Sequence, residues 1–134
     1  MTVFVDSNIP MYVAGRDHPL RGPAQRFLER ARSGGVDICT STEVLQEILY
    51  RYSALGRLDL AGAVYDLFVQ LCPVVFPVTL ADTDTARRLL IEVAGISPRD
   101  AVHAGVMLSH DITRIATFDS GFDAVPGITR IALD

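Results

Sequence analysis

Short apolar runs alternate with helical stripes along the whole chain, and no other feature of the sequence constrains the fold as tightly. Val3-Phe4-Val5, Val36 to Thr40, Val74-Val75-Phe76, Arg114 to Phe118 and Ile128 to Leu133 are brief and mostly apolar, which reads as buried strands. Between them, apolar residues recur at helical spacing: Ala24, Phe27, Leu28 and Ala31, then Val44, Leu45, Ile48, Leu49 and Tyr52. Leu60, Val64, Leu67, Phe68 and Leu71 form a third stripe, and Ala86, Leu89, Leu90 and Val93 a fourth. Each lies on one face of a helix. Asp6-Ser7-Asn8 and Pro10 turn the first strand into a helix, Gly15 to Pro23 is a breaker region, and Gly34-Gly35 and Gly56 stop helices. Ser41-Thr42 caps a helix from Glu43 to about Ala54, Asp82-Thr83-Asp84 opens another, and Ser97-Pro98 starts the last with Pro at its first position. Strands alternating with helices predict an α/β fold: a three-layer α/β/α domain around a central, mainly parallel five-stranded sheet. With 134 residues, the chain has the length of a single domain, residues 1–134, with its own core.

Such a core needs no staple. Cys39 and Cys72 lie far apart in apolar surroundings, as expected of reduced core residues and not of a zinc pair or a disulfide framework. No apolar stretch approaches the roughly 18 residues of a membrane span. The start Met1-Thr2-Val3-Phe4-Val5-Asp6 lacks the basic and apolar regions of a signal peptide. A soluble, cytoplasmic protein is expected. All 12 basic residues are arginine, against 16 acids, for a net charge of −4. Without lysine, the P-loop, Schiff-base catalysis and lysine-assisted aspartyl-phosphate chemistry are excluded. Indiscriminate nucleic-acid binding needs many bases, so any such contact must be local, with Arg16, Arg51 and Arg99 as candidates.

In parallel sheets, ligands collect beyond the carboxyl ends of the strands. Asp6 follows the first strand directly and Asp119 follows the fourth. Each has a structural alternative: a helix cap for Asp6, an Asx-turn before Gly121 for Asp119. Asp100 stands at the third helical position after Ser97, where it can close a capping arrangement or, kept ionised by the helix dipole, serve a cation. His103, one turn onward, reads as packing and is left out of the site. Glu47 lies roughly 60° around its helix from Val44; its alternative is an ion pair with Arg51 worth a few tenths of a kcal/mol. If the sheet gathers Asp6, Glu47, Asp100 and Asp119, their mutual repulsion calls for a divalent cation. Carboxylates without cysteine or a histidine cluster favour Mg²⁺ or Mn²⁺, ions that support phosphodiester hydrolysis.

Four motifs then resemble the PIN-domain family, and within it the VapC-type toxins of bacterial toxin–antitoxin pairs: Val5-Asp6-Ser7-Asn8, Ser41-Thr42-Glu43-Val44-Leu45-Gln46-Glu47-Ile48, Ser97-Pro98-Arg99-Asp100-Ala101-Val102-His103-Ala104, and Thr117-Phe118-Asp119-Ser120-Gly121-Phe122. The resemblance spans essentially the whole chain. It implies an acidic quartet of Asp6, Glu47, Asp100 and Asp119, with Asp6 and Asp100 as direct metal ligands and the other two completing the site directly or through water. Ser7 or Thr117 can add a hydroxyl, Asp123 is a further supporting acid, and Glu43 is the neighbouring alternative to Glu47. It further implies a metal-dependent endoribonuclease toxin that cuts tRNA or rRNA, forms a homodimer and is silenced by a VapB-type antitoxin. The apolar residues from Leu55 through Phe68 then serve either as core or as the antitoxin's groove.

Two other enzyme readings fare worse. A haloacid-dehalogenase-like phosphatase needs a second Asp where Asn8 stands, and a Rossmann nucleotide site needs a Gly-rich turn that is missing. A non-catalytic PIN-like module that binds RNA or a partner is the alternative from another class.

Overall fold

A computed structural model describes all residues, Met1–Asp134. Five strands and six helices follow in the order β1 (Thr2–Val5), α1 (Asn8–Ala14), α2 (Arg21–Arg32), β2 (Asp37–Ser41), α3 (Thr42–Ala54), α4 (Leu58–Leu71), β3 (Val74–Phe76), α5 (Leu80–Glu92), α6 (Pro98–Ser109), β4 (Arg114–Ala116) and β5 (Thr129–Arg130), with a 3-10 turn at Ser120–Ala124 before β5. The strands form one sheet in the order β3-β2-β1-β4-β5, and all four pairings are parallel. The expected three-layer α/β/α arrangement is what forms.

β1 is the central strand. Val3, Phe4 and Val5 are all buried, because helices cover both faces of a parallel sheet and leave a middle strand no solvent side. Chain order explains the position of the crevice. From β1 the chain builds outward to β2 and β3, then returns to place β4 against the other edge of β1. Connections leaving β1 and β4 therefore diverge, opening a cleft beyond their carboxyl ends.

Helix ends follow local chemistry. Gly56 adopts φ 68°, and the Arg57 amide reaches back to the Tyr52 carbonyl at 2.8 Å, closing α3 with a left-handed cap. Gly34, at φ 84°, ends α2 the same way, with the Gly35 amide on the Arg30 carbonyl at 2.8 Å. At the start of α3, Ser41 occupies the cap position but its hydroxyl makes no capping bond; Thr42 instead accepts the Val78 amide at 3.1 Å, tying α3 to the end of β3. α5 begins earlier than its Asp-Thr-Asp motif suggests. Thr79 is the cap, and Asp82 completes a reciprocal capping box with it.

β4 and β5 are shorter than their apolar runs. Thr117 and Phe118 leave the ladder after Ala116, where the Thr117 hydroxyl turns to Asp6. β5 is an edge strand of two residues, held by the Thr129 and Ile131 amides on Thr113 and Ile115; a short edge discourages pairing with other chains. Cys39 and Cys72 are buried free thiols, as expected.

α6 packs closely on α5, and Gly105 makes that possible. A Cβ there would lie 2.5 Å from the Asp82 carbonyl oxygen, too near for any real contact. Gly105→Ala should therefore cost about 1–3 kcal/mol in urea unfolding. Gly62→Ala, with open space around the added methyl, should stabilise α4 by about 0.5–1 kcal/mol. Equal effects of the two variants would contradict this account of α5–α6 packing.

Candidate active site

Asp6 stands one residue past β1, and its amide continues the ladder by donating to the Ala116 carbonyl at 3.1 Å. That bond places its side chain beside the end of β4. The carboxylate accepts the Ser7 amide at 2.7 Å on one oxygen and the Thr117 hydroxyl at 2.7 Å on the other. Thr117 is itself fully engaged, accepting from the Asn8 side-chain amide and the Asp119 backbone amide, both at 3.1 Å. Asn8 also accepts the Phe118 amide at 3.4 Å. The starts of α1 and of the post-β4 loop are thus laced together around Asp6.

Glu47 comes from α3. It forms no ion pair with Arg51; it turns inward, accepting the Ser7 hydroxyl at 2.9 Å and meeting His103 Nε2 with its other oxygen. Asp100 arrives at the start of α6. Its amide is capped by Ser97 at 3.1 Å, but its carboxyl makes no reciprocal cap and lies against Asp119 and near Asp6. Asp119 also forms the Asx-turn, accepting the Gly121 amide at 2.8 Å. So one of the structural alternatives, the Asp119 Asx-turn, is real, yet it does not remove its residue from the cluster.

Ionisation follows from this crowding. Burial, a hydrogen bond with Asp119 and repulsion by Asp6 and Asp119 push Asp100 up to about 7. Burial raises Asp6 too, although His103 opposes it. Burial works to raise Glu47 as well, but the hydrogen bond and charge of His103, with Ser7 and Arg99, bring it below the ordinary carboxylate value. For His103, burial is outweighed by Glu47, Asp6 and Asp100, and its pKa rises. Glu43, half-buried beside these groups, is raised by burial and by Glu47.

A hard divalent cation fits this donor set. Carboxylate oxygens of Asp6 and Glu47 lie with His103 Nε2 within 4.8 Å of one another, and burial, then the Asp119 and Asp6 carboxylates, push Asp100 up to about 7. A cation would relieve the same repulsion.

Residues 3–128 match the PIN domain model. The chain belongs to the PIN-domain family. As a PIN domain it is 46% identical to the ribonuclease VapC13 of Mycobacterium tuberculosis over 130 residues, covering 97% of this chain and 99% of that protein. Its fold is that of a chain in VapBC2 from Rickettsia felis, crystallised on a DNA fragment from its promoter, with a TM-score of 0.79, 20% identity and full coverage of both chains. VapC20 of M. tuberculosis, described as a sarcin-ricin loop cleaving toxin, gives 0.75 at 24% identity, covering 91% of this chain and 93% of that one.

The PIN fold therefore brings together Asp6, Glu47, Asp100, Asp119, Ser7 and Thr117. Asp123 is not among them: Arg130 grips it with two bonds of 2.7 and 2.8 Å at the surface. Arg99 sits 6.0 Å from the centre of the Tyr50 ring, and its charge reaches Glu43 and Glu47. Arg16 and Arg51 line a separate cleft of about 650 Å³ with Asn8, Tyr12 and His18. Sequence reasoning missed Asn8 and His103. His103 carried a usable signal, since i to i+3 spacing puts it on the face of α6 that bears Asp100.

The raised Asp100 pKa makes a prediction with a definite sign. Protonated Asp100 suits the fold, so its contribution is present below pH 4 and is lost as pH rises through about 7. Asp100→Asn, which cannot ionise, should gain thermal stability over the parent in EDTA as pH moves from around 4 to around 8. A difference in Tm that stays flat across that range contradicts the crowding.

Proposed function

We propose that this chain is a metal-dependent endoribonuclease, the toxin of a type II toxin–antitoxin pair acting in the cytoplasm, with tRNA or rRNA as substrate and residues 1–134 as one domain. The convergence of Asp6, Glu47, Asp100 and Asp119 at the divergence of β1 and β4 carries this reading, because four acids from separate segments meet where such sheets bind ligands. Likeness to a named VapC ribonuclease over almost the full length supports it.

Asp6 and Asp100 are the direct ligands in this reading, with Glu47 and Asp119 completing the surroundings of the ion. Bound Mg²⁺ or Mn²⁺ supplies a charge that activates water and stabilises the leaving 3′ oxygen. The chain's own groups do the rest. Thr117 and Ser7 hold the Asp6 carboxylate at both oxygens, which orients it before any ion arrives. To hold the ion, Asp100 would have to give up its proton, so ion binding would strengthen as pH rises through about 7. Arg99 stands at the rim to meet a phosphate, with Arg16 and Arg51 as more distant contacts.

A VapB-type antitoxin segment fits the apolar groove of about 830 Å³ between α1, α2 and α4, lined by Val13, Leu28, Leu67, Phe68 and Leu71. Of the stretch from Leu55 through Phe68, Ala61 and Val64 serve mainly the core, while Leu67 is exposed. A homodimer has an apolar surface available on α5 in Leu80, Leu90 and Ile91.

RNA incubated with the protein and Mg²⁺ or Mn²⁺ should be cut, and EDTA or Asp6→Asn should abolish cutting. Cleavage surviving either one sinks the metal mechanism, and tight RNA binding without cleavage on any RNA favours the non-catalytic module. Thr117→Val, which removes a donor from Asp6, should weaken ion affinity by about 10–100-fold. Leu67→Glu should lose the co-expressed antitoxin in affinity purification while RNA cleavage is retained; retention of the antitoxin would place its docking elsewhere.

A further inference from the structure

His103 is the one imidazole among the carboxylates and hydroxyls of the cluster. It lies on α6 one turn beyond Asp100, fully buried, with its ring tilted against Phe4 at 5.7 Å between centroids. Nε2 meets Glu47 Oε1 and is 3.6 Å from Asp6 Oδ1. Nδ1 is buried and has no hydrogen-bond partner in the protein.

That asymmetry decides between two roles. As a metal ligand, His103 would present a bare Nε2, and the ring hydrogen would then sit on Nδ1, a buried donor with no acceptor. Histidines that ligate metals almost always donate their second N–H to a partner. A bare Nε2 would also face the Glu47 oxygen lone pair to lone pair. A carboxylate offers only acceptors, so the contact requires the hydrogen on Nε2 whatever the ring's charge. His103 is then a donor.

Glu47 is held by two such donors from different segments. The Ser7 hydroxyl, at the end of β1, takes Oε2 at 2.9 Å, and His103, on α6, takes Oε1. Glu47 itself lies on α3, which Arg99 of α6 also approaches over the Tyr50 ring. A long glutamate side chain has several rotamers to lose on ordering; two fixed donors remove that freedom in advance.

We infer that His103 is a positioning residue of the nuclease centre, which through its Nε2–H clamps Glu47 together with Ser7 and so orients that carboxylate toward the ion without ligating it. This rests on the metal-dependent reading above. A ligand that holds its orientation before binding gives a tighter site, and loss of such a supporting partner commonly costs about 10–100-fold in metal affinity.

Mn²⁺ binding to the intact protein, read from the loss of the free-ion electron paramagnetic resonance signal without RNA, separates the possibilities. His103→Phe keeps a ring but loses the donor and should weaken binding by about 10-fold or more. His103→Gln keeps an N–H near the position of Nε2 and should recover most of that affinity. In a Glu47→Gln background, His103→Phe should have little further effect, because the histidine acts through Glu47. Equal affinity of parent and His103→Phe, or full additivity in the cycle, overturns the inference while leaving the nuclease reading intact. A parent that binds no Mn²⁺ overturns both. Should His103→Phe fail to fold, nitrogen-15 spectra of the parent imidazole decide: Nε2 keeps its hydrogen when Mg²⁺ is added if His103 is a donor, and loses it if His103 is a ligand.

Discussion

The parallel pairing of β1 with β4 is the constraint from which the rest follows. Its register sets Val3 against Arg114, Phe4 against Ile115 and Val5 against Ala116. One step further, the ladder ends with the Asp6 amide on the Ala116 carbonyl, and Asp6 and Thr117 emerge side by side. Parallel strands point their carboxyl ends the same way, so residues 111 positions apart become hydrogen-bonded neighbours. A slip of one residue would turn Asp6 to the opposite face and dissolve the site.

The cost of that placement is electrostatic. Asp6 is only 4% exposed, and a buried carboxylate is tolerable only when hydrogen-bonded or paired. Donors from Ser7 and Thr117 satisfy it, His103 Nε2 lies 3.6 Å away, and burial together with Asp119 and Asp6 pushes Asp100 up to about 7, which lowers the total charge. Each device substitutes in part for a cation. Such crowding of carboxylates is what a bound cation would relieve, the usual compromise where preorganised charge is needed for chemistry.

Much of this was legible in the chain. All five strands and the major helices announce themselves by apolar runs and stripes, and the four acids stand at strand ends, a helix start and the edge of an apolar face. What could not be read was partner choice. Glu47 has Arg51 in ideal helical position and ignores it for Ser7 and His103, because an exposed i,i+4 pair is worth a few tenths of a kcal/mol and cannot compete with donors inside the cluster. Asp123 reads as one more acid near Asp119, yet Arg130 holds it at the surface. Thr79, not the Asp-Thr-Asp motif, starts α5, since both serve equally well as caps until the end of β3 fixes where the chain turns.

The sequence alone therefore determined the layers, the parallel sheet and the inventory of acids, since burial periodicity and turn chemistry are local and survive without knowledge of neighbours. Only tertiary structure decided that His103 meets Glu47 and that Asp123 pairs with Arg130 at the surface. Hydrogen-bond partners separated by 40 or 56 residues depend on how helices pack over the sheet, and no local pattern encodes that distance.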